Sequence, residues 1–353
     1  MPDNIEGPFG AKRQMSYNKL PTVVESLLII ITLITLISIF CTYEIRDYMI
    51  TVNERLKTVD NFGNGVMQNL RLSIKKKLGK RIICGFKIYP DLPPYIHITI
   101  EEIDKIKKMP EKIFSDIQNV GLWSLNRWPK DIQHHYMPFW SVNRQILNRF
   151  YSKHLNRGTF ANVELPVIHF RCSDIPFNRH RSYHIPKKNM IVWVSSILKE
   201  KKMNQAIFLT CNKHLSSSNE KQLCSKFKDI YIELFKNEGI ALLPTCNDIR
   251  TDLAVMFYSP LLISLNNSSF SFSIGISKPP DQFITSNMGE EVCDKRRGDF
   301  CEQPNREPYT ALPYALNDQN VFDWKYFHEP PLLHSEIKDY YDLDEVRNKI
   351  LFN

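Results

Sequence analysis

Eight cysteines are scattered over 353 residues, and no two of them stand at C-x-x-C spacing. That lack sets aside zinc ribbons and thioredoxin-type redox motifs, which need paired ligands or thiols at that distance. Equally missing are a long basic block, a zinc-finger spacing and a repeat that interleaves aromatic with basic residues. The formal charge of +8 arises from 46 basic residues mixed among 38 acidic ones. The excess is spread out, so no nucleic-acid partner is expected. A charged content of 24% and a hydrophobic content of 43% are ordinary for a globular chain. The length allows two domains or one large one.

One stretch lacks charge altogether. Residues 26–43 read SLLIIITLITLISIFCTY, extended at the start by Val23 and Val24. Such a run is long enough to cross a bilayer as a helix. A cleaved signal peptide has a shorter apolar region that ends in small residues. This run ends in Phe40, Cys41, Thr42 and Tyr43, so a retained transmembrane anchor over 22–43 is expected. Lys12, Arg13 and Lys19 precede it while Arg46, Arg55 and Lys57 follow it, and the positive-inside count is a tie. Residues 1–21 read as a polar tail and residues 44–60 as a short charged stem. Seven cysteines lie beyond the span. In a lumenal domain they can form disulfides, with Cys293–Cys301 and Cys211–Cys224 as the local candidates.

Past the stem, Asn61-Phe62-Gly63-Asn64-Gly65 reads as a turn feeding a helix that carries Val66, Met67, Leu70, Leu72 and Ile74 and stops at Gly79. A Gly-rich turn of this kind lets a ligand approach the backbone, though an ordinary tight turn has the same spelling. Residues 81–88 read as a strand. Glu101–Phe114 and Ser141–Tyr151 read as amphipathic helices. Between them an aromatic and basic segment (Trp123, Arg127, Trp128, His134, His135, Tyr136, Phe139, Trp140) suits a sugar face or core packing. From Asn189 onward strand and helix alternate. Met190–Val194, Ala206–Thr210, Ile240–Leu243 and Leu261–Ser264 are the expected strands, with helices over Asn219–Asn237 and Asp248–Tyr258. This βα repeat predicts a doubly wound parallel sheet. Asn266 and Asn267 begin formal glycosylation sequons, set aside because a strand end is buried.

The organising stretch is Leu165–His184. Its apolar start (Val167, Ile168) runs into His169, Arg171 and Asp174, followed by Arg179, His180, Arg181 and His184. A buried strand ending in charge delivers side chains to the edge where open α/β sheets bind ligands. An arginine fork there matches a pair of phosphate oxygens. An Arg171–Asp174 pair capping the strand is the structural alternative.

Three segments resemble the α-1,2-fucosyltransferases and their wider superfamily. FGNGVMQ at 62–68 is similar to the family's Gly-Asn-Gln-x-Phe-Gln start. His169-x-Arg171-x-x-Asp174 is similar to its His-x-Arg-Arg-Gly-Asp motif. Asp252-Leu-Ala-Val-Met256 with NSSFSF at 267–272 resembles its Asp-Leu-x-x-Met and Ser-Ser-Phe-Ser-Trp-Trp pair, and Asp323-Trp324 resembles a late Asp-Trp. Gly65 replaces a Gln, Cys172-Ser173 replace Arg-Gly, and Phe272-Ser273 replace the paired Trp.

The resemblance implies an α/β, GT-B-like fold: two Rossmann-like domains with a central cleft, preceded by one N-terminal transmembrane helix. Residues 61–164 would form the acceptor-side domain, 165–325 the nucleotide-sugar-binding domain and 326–353 a helical tail. The implied protein is a membrane-anchored, inverting fucosyltransferase of the Golgi membrane, single-pass and type II, with a lumenal catalytic domain. It would take GDP-fucose as donor and a glycan as acceptor, with no metal. Arg171, His169 and Asp174 would carry the catalytic step. Gly63, Asn64, Arg171, Asp252, Ser268, Ser269 and Phe270 would hold the donor. A related enzyme using another nucleotide sugar, or an inactive anchored glycan-binding protein, fits the same residues.

Overall fold

The computed structural model describes residues 27–28, 31–32, 62–79, 86, 92–109, 137–155, 163–172, 184–211, 218–266, 268–287, 321–323, 332–333 and 343–352. The chain divides into two compact units, Met1–Tyr48 and Met49–Asn353. In the second, helices α1 (Phe62–Lys77), α2 (Ile100–Lys107) and α3 (Met137–His154) precede strands β1 (Val167–His169) and β2 (His184–Ile185). There follow α4 (Lys188–Glu200), β3 (Gln205–Leu209), α5 (Ser218–Asn237), β4 (Ala241–Thr245), α6 (Ile249–Tyr258) and β5 (Leu262–Ser264). The chain continues through α7 (Ser269–Gly275), β6 (Phe283–Asn287), β7 (Val321–Asp323), β8 (Leu332–Leu333) and α8 (Leu343–Phe352).

Six strands form one parallel sheet in the order β4-β3-β1-β5-β6-β7, and β2 pairs with β8 in a small antiparallel ribbon. Numbered by their own succession, the six read 3-2-1-4-5-6, the order of a Rossmann sheet. Successive strand residues point to opposite faces, and the core divides accordingly. Val167, Leu209 and Leu262 join the buried side chains of α1, α2, α3, α6 and α7 on one face. Ile168, Phe208 and Ile263 join those of α4, α5 and α8 on the other.

The architecture differs from expectation in two respects. In place of two Rossmann-like domains around a cleft, the described residues form one such sheet, and the described residues within 62–155 give it helices but no strand. The cause is the apolar stripes of α1 and α3 (Met67, Leu70, Ile74; Ile146, Leu147, Phe150), which bury against the same face of the sheet as α6 and α7. The transmembrane helix is not found either: among the described residues no helix is long and apolar enough to cross a membrane. A span needs a continuous helix of about 20 residues, and within 22–43 only Leu27, Leu28, Ile31 and Thr32 are described. The rest of that stretch lies outside the described residues. The anchored form of the enzyme, the membrane as a partner and the type II Golgi placement therefore lose their basis.

Local readings are also revised. Met190–Val194 is not a strand but the start of α4, because Met190, Ile191, Val194 and Leu198 bury at helical spacing. Short apolar runs carry no decisive period. Gly63 and Gly65 lie inside the first turns of α1 rather than in a turn before it. Gly79 ends that helix at φ +67°, a conformation open to glycine at no steric cost. The residues 81–88, apart from Phe86, lie outside the described residues.

Among the described residues the disulfides are Cys172–Cys224 and Cys211–Cys246, with Cα separations of 5.6 and 4.9 Å, so the expected Cys211–Cys224 pairing is wrong. Leu209 and Thr245 are register partners, which brings Cys211 and Cys246 out of adjacent strand ends side by side. Cys224 instead faces inward from α5 toward the end of β1. Cys293 and Cys301 lie outside the described residues.

Candidate functional site

From β1 the chain winds outward to β3 and β4, then returns through α6 to β5 on the opposite side of β1. A crevice opens beyond the carboxyl ends of two strands related in this way, and open α/β sheets bind ligands there. Two segments wall it: Phe170 and Arg171 past the end of β1, and Leu265, Asn266 and α7 past the end of β5.

His169 closes β1 beside Leu209 and Ser264. Its ring meets that of Phe270 at 5.7 Å between centroids. Only 6% of the residue is exposed, and among the described residues Nδ1 has no hydrogen-bond partner. Burial, and secondarily the charge of Arg171, pushes its pKa down to about 3. The imidazole is therefore neutral at physiological pH. A buried polar atom left unpaired costs on the order of 1–3 kcal/mol, and a ligand hydrogen bond removes that cost.

Arg171 is half-buried. Phe170 and Cys172 both pack into the cluster on the α4 and α5 face, so alternation turns Arg171 to the face of His169 and α7. The electrostatic effect of Arg171 on His169 agrees with that placement. The Arg171 N–H donates to Asn266 Oδ1 at 3.0 Å, and Asn266 Nδ2 donates to the Arg171 carbonyl at 2.8 Å.

The segment after β5 is fixed by hydroxyls. Ser264 Oγ donates to the Asn266 carbonyl at 2.8 Å and lies 2.7 Å from Ser271 Oγ. Ser271 in turn reaches the Ser268 carbonyl at 3.3 Å. Ser268 is buried at the N-cap of α7, where its side chain makes no capping bond. With seven residues, α7 is too short to serve as an anion-binding helix terminus. Against this segment lies α1: a β-carbon on Gly63 would fall 1.8 Å from the Ser269 carbonyl oxygen and 2.6 Å from the Phe270 nitrogen. Phe62 and Phe270 meet edge to face at 5.7 Å. Gly63, His169, Arg171, Ser268, Ser269 and Phe270 are thus brought into one neighbourhood.

Other expected residues stand differently. Asp252 is 4% exposed, and its Oδ1 accepts from the Asn247 backbone at 3.2 Å and side chain at 3.0 Å. It shapes the loop between β4 and α6. The side chain of Asn64 and the whole of Asp174 lie outside the described residues, as do Arg179, His180 and Arg181. In the aromatic segment, Phe139 and Trp140 are core residues, Trp140 meeting Phe272 at 6.3 Å. The remaining members of that segment, residues 123–136, lie outside the described residues. Asn266, set aside as a sequon, is fully buried with both amide atoms engaged. The sequence signal for it was an amide directly after a strand, where ladder bonds run out.

A cleft of about 180 Å³ opens elsewhere, at the carboxyl ends of β3 and β4 on the α5 side, lined in part by Thr210, Cys224, Lys228, Thr245 and Cys246. Lys228 already lies 3.8 Å from Asp229. The β1–β5 crevice is the better candidate, because the unpaired imidazole nitrogen and the arginine are there. Among the described residues, no three His, Cys, Asp or Glu side chains group as metal ligands do.

No family model matches the chain, and no curated protein does. Among solved structures it is similar to POFUT1 in complex with GDP-fucose. One crystal form gives 11% identity and a TM-score of 0.26 over 60% of this chain and 65% of that one. A second form gives 11% and 0.23 over 42% and 47%. POFUT1 in complex with GDP gives 10% and 0.23 over 57% and 62%. The chain thus spans between 47% and 65% of the length of these structures. Likeness at this level carries no argument about activity.

Proposed function

We propose that the chain is a nucleotide-sugar-dependent glycosyltransferase of fucosyltransferase type, with GDP-fucose as donor and a glycan hydroxyl as acceptor. The observation that supports this reading is a convergence. Three segments picked out by their resemblance to that superfamily, far apart in sequence, meet where the sheet reverses its winding: Gly63 on Ser269 and Phe270, His169 on Phe270, and Arg171 on Asn266, the residue just before the third of them.

In this reading the acceptor hydroxyl gives its proton to a general base as its oxygen attacks the anomeric carbon, the bond from that carbon to the β-phosphate oxygen breaks, and the nucleoside diphosphate leaves with the electron pair. Charge grows on the departing phosphate, so fixed donors aimed at it lower the barrier. Arg171 supplies a guanidinium whose planar fork of N–H donors matches a pair of phosphate oxygens. His169, neutral and lacking a partner at Nδ1, supplies a hydrogen bond to the donor without adding charge. Asp174 is assigned to orienting Arg171. The division at residue 164/165 into acceptor-side and donor-side parts belongs to the same proposal.

The test is nucleotide release from a panel of GDP- and UDP-sugars incubated with the purified chain and mixed glycan acceptors. GDP release from GDP-fucose, lost in Arg171→Ala, is the expected result. Release from a UDP-sugar alone would assign a different donor. No release, together with no thermal stabilisation by GDP, would overturn the reading.

A further inference from the structure

We infer that Asn266 is a positioning residue for Arg171, a role that rests on the donor-site reading above. The β1–β5 ladder ends where the Leu265 N–H donates to the His169 carbonyl at 3.0 Å. Past that rung the two strands must part for a crevice to exist, and parting strips partners from the backbone of whichever residue comes next. That residue is Arg171. Asn266 replaces the missing strand with its side chain, accepting from the Arg171 N–H and donating to the Arg171 carbonyl. A carboxamide has the donor and acceptor of a peptide unit, so it adds one more rung while standing the strand ends a side chain's length apart.

The amide is itself fixed. Asn266 is 0% exposed, and its carbonyl accepts from Ser264 Oγ, which also touches Ser271 Oγ. On the other side, Cys172 is bonded to Cys224 on α5. Arg171 is therefore clamped on both flanks, by an amide on its own peptide groups and by a disulfide on the next residue. Its backbone direction, and with it the start of the guanidinium's path toward the crevice, follows from Asn266.

Affinities of GDP and of guanosine for the full chain separate this role from a merely structural one. Arg171 addresses the diphosphate, so Asn266→Ala is expected to weaken GDP by about 10- to 100-fold while guanosine binding stays unchanged. In an Arg171→Ala background the same substitution is expected to cost nothing further, because one residue acts through the other. Asn266→Asp keeps the acceptor for the Arg171 N–H and loses the donor to its carbonyl, and it serves if the alanine variant does not fold. Equal loss of GDP and guanosine, or full additivity with Arg171→Ala, would overturn the inference. Hydrogen exchange on the unaltered chain reads the link without substitution: the Arg171 amide should be as protected as those of β1, and free exchange would refute the clamp. If Arg171→Ala itself leaves GDP affinity intact, the donor-site reading fails. If it abolishes GDP binding while Asn266→Ala does not, the positioning role alone fails.

Discussion

Gly63 and Ser269 meet backbone to backbone, so closely that a β-carbon on Gly63 would lie 1.8 Å from the Ser269 carbonyl oxygen and 2.1 Å from its carbonyl carbon. The glycine is not needed for an unusual φ, since it lies within helical turns. It is needed because the start of α1 and the start of α7 share one volume. Gly63→Ala must push them apart, and neither neighbour is a flexible side chain that can yield. Overpacking of this kind costs about 1–3 kcal/mol, expected as a lower denaturation midpoint. GDP stabilisation should fall with it, because Phe270 and Ser269 move. An alanine variant with unchanged stability would mean that the two helices do not touch.

Stability should decline on mild acidification through His169. Its folded pKa is about 3, against about 6.5 in an unfolded chain. Between those values the unfolded state binds a proton that the folded state refuses, so unfolding gains as pH falls. The loss amounts to about 2 kcal/mol between pH 7 and pH 5. It should be visible as a difference in slope between the unaltered chain and His169→Gln in urea denaturation across that window. Parallel slopes would show that the ring is hydrated after all.

The βα alternation from residue 205 to 264 was legible because each apolar run is bounded by turns and each helix carries a 3.6-residue stripe. The edge of the sheet that bears His169 and Arg171 was legible for the same reason. What was not legible depended on partners distant in sequence. The role of Gly63 is set by Ser269, and that of Asn266 by Arg171. Cys224 had two nearer cysteines than Cys172, and only the register of β3 on β4 takes Cys211 and Cys246 away from it. The run at 190–194 misled because its β-branched residues suit either element until Leu198 is seen to continue the buried stripe.

Lys278 gives the opposite end of the pH range a signature. It is 3% exposed, and Nζ donates to the Phe257 and Ser259 carbonyls at 2.7 Å each, closing the carboxyl end of α6. Burial lowers its pKa to about 8. Above that value the folded amine is neutral and still has two hydrogens for its two short bonds, while an unfolded lysine keeps its proton to about pH 10.4. The unfolded state therefore holds the extra proton, and stability rises with pH, by about 1 kcal/mol between pH 7 and pH 9. Lys278→Met should remove that rise. Denaturation at pH 7, 8 and 9 on both proteins checks it, and an identical rise in the variant would refute the assignment.

The Cys172–Cys224 bridge should couple stability to the site more tightly than its partner does. It closes a separation of 52 residues against 35 for Cys211–Cys246, and chain entropy gives about 4 kcal/mol for loops of either size. By that measure the two removals, made as paired Cys→Ala substitutions, should cost nearly the same. Their effects on GDP should differ. Cys172 follows Arg171 directly, so losing its bridge frees the chain on one flank of the guanidinium. Cys211 and Cys246 leave strands β3 and β4, on the side of β1 away from β5. Cys172→Ala/Cys224→Ala should therefore weaken GDP by about 10-fold or more, whereas Cys211→Ala/Cys246→Ala should leave the affinity within about 3-fold. Thermal midpoints and GDP titrations on the two paired variants decide it. Equal loss of GDP binding from both would make the bridges general staples, with no special hold on Arg171.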